Sequence, residues 1–106
     1  MLSTRVVILN WNGEKFLAQF LPKVVATMPA WASVVVADNG STDNSVEMLR
    51  RDFPLVHLIL LNENHGFADG YNLALKQVDA EYAVLLNSDV QVSRHWLEPL
   101  VSYMDA

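Results

Sequence analysis

"VVVADNGSTDNSVEML", Val34 to Leu49, runs from an unbroken apolar stretch through a polar loop into residues with helical spacing. Val34, Val35, Val36 and Ala37 do not alternate with polar residues, the pattern of a strand buried on both faces. Asp38 ends that strand one step before a turn is required. Gly40 supplies positive φ for the turn, and Thr42 or Asp43 caps the helix that follows. From Asn44 to Phe53 the apolar residues Val46, Leu49 and Phe53 return on one helical stripe. A doubly buried strand leading into a helix is half of a βαβ unit, and it sets the fold class.

The unit recurs along the chain. Val6-Val7-Ile8-Leu9 precedes a helical segment from Glu14 to Thr27, striped by Phe16, Leu17, Phe20, Leu21, Val24 and Val25. Val56 to Leu61 precedes Gly66 to Val78, with Phe67, Tyr71, Leu75 and Val78 on one side. Tyr82 to Leu86 precedes Arg94 to Met104, with Trp96, Leu97, Leu100 and Met104. The order β-α-β-α-β-α-β-α predicts right-handed crossovers and a mainly parallel sheet of about four strands in a three-layer α/β/α, Rossmann-like domain. Pro22 lies inside the first helix and predicts a kink or a split near Leu21. Trp31, after the Met28-Pro29-Ala30 loop, reads as a lid on the core. Residues 1–106, without repeat or linker, read as a single domain.

Composition narrows the function classes. Hydrophobic residues make up 52% of the 106 and charged residues 18%, enough to bury a core. The formal net charge of −5 argues against a basic footprint for long nucleic acid. A small phosphate ligand remains open, provided that a divalent cation or backbone N–H groups supply the positive end. No apolar run approaches the roughly 20 residues of a membrane span, and no signal-peptide layout follows Met1. Cysteine is absent, which removes disulfides and thiolate chemistry. A cytoplasmic setting is expected.

Each strand's carboxyl end carries Asn, Asp or Gly: Asn10-Trp11-Asn12-Gly13, Asp38 to Asp43, Asn62 to Gly66, and Asn87-Ser88-Asp89. The entering segments, such as Ala30 to Ser33, are ordinary. Ligands of open parallel sheets bind beyond the carboxyl ends. Turn formation and capping use the same vocabulary, so either reading stands for any single loop. Asp38 is placed to accept a ligand N–H. Asp89, with the Asn87 amide two residues earlier, offers the hard oxygen donors that Mg²⁺ or Mn²⁺ takes beside a diphosphate. Trp11 is either a core or rim aromatic or a wall for a base. His57 reads as a strand-edge residue and His95 as a helix-start surface residue, while His65 lies in the third loop. Dinucleotide, P-loop, hydrolase-elbow and zinc-ligand patterns are all missing.

"VVILNWNGEKFL", "VVVADNGSTDNSVEML", "NENHGFADGYNLAL" and "EYAVLLNSDVQVSRHWLEPLV" together resemble the amino-terminal part of family 2 glycosyltransferases of the GT-A fold. "NHGFADGYN" is similar to a subgroup rich in rhamnosyltransferases. The resemblance implies a UDP- or dTDP-linked sugar donor, a divalent cation (Mn²⁺ or Mg²⁺), and inverting transfer to a glycan or lipid-linked acceptor in polysaccharide biosynthesis. It implies that Leu9 and Trp11 line the base and that Asp38 accepts its imide N–H. Asn64, Gly66 and Asn72 would lie beside the donor, with Asn87 at the first position of the Asp-x-Asp motif and Asp89 as metal ligand. The neutral Asn87 departs from that motif.

The resemblance further implies that the catalytic base and acceptor-binding elements come from sequence beyond Ala106. The chain is then the nucleotide-sugar-binding half of a transferase, truncated at its C-terminus and inactive alone. An exposed sheet edge and self-association are expected with it. The whole protein would sit in the cytoplasm, peripheral to the inner face of the membrane. The alternative from another class is a flavodoxin-like binding or signalling module, or an inert structural piece.

Overall fold

The computed structural model describes residues 3–78 and 82–87. They form β1 (Thr4–Asn10), α1 (Glu14–Ala26), β2 (Ala32–Asp38), α2 (Ser45–Asp52), β3 (His57–Leu60), α3 (Phe67–Leu75) and β4 (Tyr82–Asn87). The helix expected from Arg94 to Met104, together with His95, Ser88 and Asp89, lies outside the described residues.

The four strands are parallel in the order β3-β2-β1-β4. Side chains alternate across a strand, and the two faces separate by parity. Ile8, Val34 and Val36 pack with Leu17, Leu21 and Val24 of α1 and with Met48 and Leu49 of α2. Val7, Val35, Ala37 and Ile59 pack with Tyr71 and Ala74 of α3. Two helices therefore cover one face and the third covers the other, the three layers expected. Continuous apolar strands are what a sheet covered on both sides requires. Leu17, Leu21 and Leu49 are among the largest fully buried side chains, each worth roughly 1.5–3 kcal/mol of burial.

The chain builds outward from β1 through β2 to β3, then returns to place β4 on the other side of β1. The direction of winding reverses between β1 and β4, which is why α3 lies on the face opposite to α1 and α2. Such a reversal opens a crevice at the strands' carboxyl ends.

Two expectations change. Pro22 does not split the first helix, which runs unbroken from Glu14 to Ala26. Leu21 and Val24 on either side of it are buried, so packing holds the helix across the missing hydrogen bond. The six-residue apolar stripe of α1 is also narrower than read: Leu17, Leu21 and Val24 face the core, whereas Phe16 and Val25 are exposed. Phe16 stacks on Phe20 outside it, with ring centroids 6.5 Å apart. Trp31 packs against Val6 with Met28, Val84 and Leu86, closing the core as a lid. Among the described residues no helix is long and apolar enough to cross a membrane.

Candidate functional site

Register places the strand tips side by side. Asn10 is the Cα partner of Asp38, Asp38 of Leu60, and Leu9 of Asn87. With β1 between them, Asp38 and the end of β4 stand two strand spacings apart, roughly 10 Å. The winding reversal lies in that interval.

Asp38 is 4% exposed and already engaged. Its Oδ1 accepts from Asn10 Nδ2 at 3.0 Å and from Ser41 Oγ at 2.6 Å, and its Oδ2 accepts from the Ser41 N–H at 3.0 Å. A carboxylate offers about four acceptor positions, so one is left. By parity Asp38 shares the α1–α2 face with Val36, whereas Leu9 sits on the opposite face, packed against the α3 cluster. The structure thus joins Asp38 to Asn10 and Ser41, not to Leu9. Trp11, one residue past β1, is 54% exposed and not part of the core.

The loops after β1 and β2 grip each other. Asn12, at φ 51°, accepts from the Thr42 and Asp43 N–H groups through Oδ1 at 2.7 and 3.2 Å. Its own N–H donates to Ser41 Oγ at 2.9 Å. Asp43 accepts from the N–H of Glu14, the first residue of α1, at 3.2 Å and from that of Ser45, the first of α2, at 2.9 Å. Partial burial opposes the charge on Asp43. The hydroxyl and N–H of Ser45 and the N–H of Glu14 outweigh it, holding the carboxyl below its ordinary value. One carboxylate therefore accepts from the first N–H of two helices; the N-cap position of α2 itself falls to Asn44, one residue after Asp43, and makes no side-chain cap bond.

A second clasp fixes the loop before α3. Asn39, 2% exposed, donates through Nδ2 to Asn64 Oδ1 at 3.3 Å and to the Gly66 carbonyl at 3.1 Å. Its Oδ1 accepts from the His65 N–H at 3.0 Å. Asn64 Oδ1 also accepts from the Gly66 N–H at 2.7 Å. Asn64 and Gly66 thus shape the entry to α3, while Asn72 stands exposed on that helix. His65 Nε2 donates to the Leu61 carbonyl at 3.2 Å, which ties the ring to the end of β3. His57 is exposed at the start of that edge strand, as read.

Gly40 takes the expected positive φ, 79°, and a Cβ there would fall 2.5 Å from the Glu63 carbonyl carbon. Gly70 lets α3 approach the tips, since a Cβ on it would lie 3.0 Å from both Asn39 Nδ2 and a Leu9 methyl. Tyr71, on the same helix, donates its hydroxyl to the Leu86 carbonyl, tying α3 to β4 across the reversal. Burial pushes its phenol pKa up. Asn10, Asn39 and Ser41 were not singled out from the sequence. The signal for Asn10 was its parity with Val6 and Ile8, which puts a polar residue on a buried face. Among the described residues no group of three or more acidic or histidine side chains could hold a metal ion.

Comparison with known proteins places this arrangement. The chain is 27% identical over 97 residues to glycosyltransferase GlyA of Streptococcus pneumoniae, covering 90% of this chain and 14% of that protein. Its fold matches the crystal structure of Staphylococcus aureus TarS in complex with UDP-GlcNAc (TM-score 0.81, 25% identity, 97% of this chain and 31% of that one). It also matches mannosyltransferase PcManGT from Pyrobaculum calidifontis in complex with GDP-Man and Mn²⁺ (TM-score 0.86, 24% identity, 99% and 33%). The chain spans between 13% and 40% of the length of the first curated relatives that it matches. The model of glycosyl transferase family 2 matches residues 5–106. The parallel sheet with its winding reversal is the Rossmann-like part of the GT-A fold, and the chain belongs to glycosyltransferase family 2.

Proposed function

We propose that this chain is the donor-binding part of a glycosyltransferase. It would hold a UDP- or dTDP-linked sugar for inverting transfer of a hexosyl group, rhamnosyl among the candidates, to a hydroxyl of a glycan or lipid-linked acceptor. One observation carries this reading: the carboxyl ends of β1, β2 and β4 lie side by side at the winding reversal. Asp38 flanks that point on one side and the segment leading to Asp89 on the other.

Trp11 presents an exposed ring for the base, and Asp38 accepts the imide N–H with its remaining lone pair. Leu9 fills the α3 side of the tip, and the loop of Asn64 and Gly66, with Asn72 beyond it, borders the sugar diphosphate. Asp89, with Asn87 two residues before it, would hold Mn²⁺ or Mg²⁺, since a carboxylate and an amide supply hard oxygen donors. When bound, the cation would offset negative charge on the departing nucleoside diphosphate. The protein's own residues then bind and orient the donor. Self-association of this chain through β4, an edge strand of the described sheet, belongs to the same reading. The setting proposed is the cytoplasm, at the inner face of the membrane.

Calorimetry with UDP- and dTDP-sugars in Mn²⁺ and in EDTA tests the reading. Binding that requires the metal and disappears in the Asp89→Ala variant is expected. No nucleotide binding in either condition would overturn it.

A further inference from the structure

Asn10 is completely buried at the end of β1, on the face it shares with Val6 and Ile8. Its Nδ2 donates to Asp38 Oδ1 at 3.0 Å and to Ser41 Oγ at 3.3 Å. Its Oδ1 is enclosed and receives no hydrogen bond from the described residues. Turning the amide over does not relieve this, because the oxygen would then oppose the Asp38 carboxylate. An apolar side chain here would carry no such unsatisfied acceptor. Asn10 is therefore costly as a core residue, and what it provides in return is a fixed donor to Asp38.

We infer that Asn10, with Ser41, is a positioning residue that holds the Asp38 carboxylate in one orientation and so sets which nucleobase the site accepts. The inference rests on the base-binding reading of Asp38 given above. Two donors fall on Oδ1 and one on Oδ2, so the carboxylate cannot turn about its own axis without breaking them. A fixed acceptor suits a base that presents a ring N–H, as uracil and thymine do. Cytosine presents a ring lone pair in that place, and a held carboxylate cannot turn away from it. Without Asn10, Ser41 alone would hold the carboxylate, and the weaker restraint would let Asp38 tilt away from a cytosine lone pair. Asn10 would thus act on discrimination through Asp38 without touching the ligand.

The test is calorimetric titration of UDP and of CDP at one fixed Mn²⁺ concentration, with folding followed by circular dichroism and thermal melting. The wild-type chain should prefer UDP, and Asp38→Asn should abolish the preference. Asn10→Leu should narrow the UDP-to-CDP affinity ratio about tenfold, the scale of one hydrogen bond. A merely structural role would weaken both nucleotides alike and leave the ratio unchanged. Ser41→Ala should narrow the ratio in the same direction while Ser41→Thr, which keeps the hydroxyl, preserves it; this pair decides the matter if Asn10→Leu does not fold. An unchanged ratio in the folded Asn10→Leu chain, with Asp38→Asn abolishing it, overturns the inference alone. Equal wild-type binding of UDP and CDP, unaltered by Asp38→Asn, overturns the base reading and the inference with it.

Discussion

Trp11 and Gly40 occupy neighbouring loops and should respond to substitution in opposite ways. Trp11 is largely solvent-exposed, so Trp11→Ala should change stability by less than about 0.5 kcal/mol. Its loss should weaken UDP binding roughly tenfold, as stacking on an aromatic side chain contributes about 1–3 kcal/mol per base. Melting and titration of one variant check both halves. Gly40→Ala places a methyl group against the Glu63 backbone at φ 79°, and should destabilise the fold by more than about 1 kcal/mol in denaturant titration. The positive φ of Gly40 was legible from its place in the turn. That Asn12 would also adopt positive φ was not, because the reason is tertiary: its side chain receives N–H groups 30 and 31 positions away.

The elements themselves were legible because doubly buried strands and amphipathic helices write different periods into the chain. Boundaries differ by a few residues, most at α3, where periodicity predicts Gly66–Val78 and the helix spans Phe67–Leu75. The stripe of α1 was overread because positions on either flank of the core-facing line satisfy helical spacing equally well, and only packing against the sheet separates Leu17 from Phe16. Asp43 is legible as an acceptor at the start of α2, though Asn44 takes the N-cap position; its link to α1 is not, since Glu14 is 29 positions away. That link predicts a pH dependence. The folded carboxyl titrates below its ordinary value near 3.9, so its stabilisation is present above that pH and is lost as pH falls through the folded value. Asp43→Asn keeps one acceptor oxygen but loses the charge and the second acceptor, and should cost about 0.5–1 kcal/mol at neutral pH. Urea melts between neutral pH and acid should show the difference between variant and wild type shrinking below about pH 4. A constant difference would remove the carboxylate from this role.

At the scale of the molecule, the described sheet ends in two unlike edges. β3 is four residues long, and β4 exposes Leu85 at 46% on the α3 face. Self-association through β4 should appear as a scattering mass that rises with concentration, and Leu85→Lys should reduce it. A monomer at every concentration in the wild type would contradict this edge's role. Sequence alone indicated that the chemistry gathers at the strands' carboxyl ends, but not that β1 separates Asp38 from β4, because strand order depends on where the chain turns back. We propose that these ends form one nucleotide site. Backbone amide NMR of the isotope-labelled chain, titrated with UDP in Mg²⁺, follows that site residue by residue. The amides of Trp11, of Asp38 to Ser41 and of Asn87 to Asp89 should shift together along a single saturation curve. Shifts confined to the opposite end of the sheet, around Thr4 and Ala32, or no shifts at saturating UDP, would contradict it.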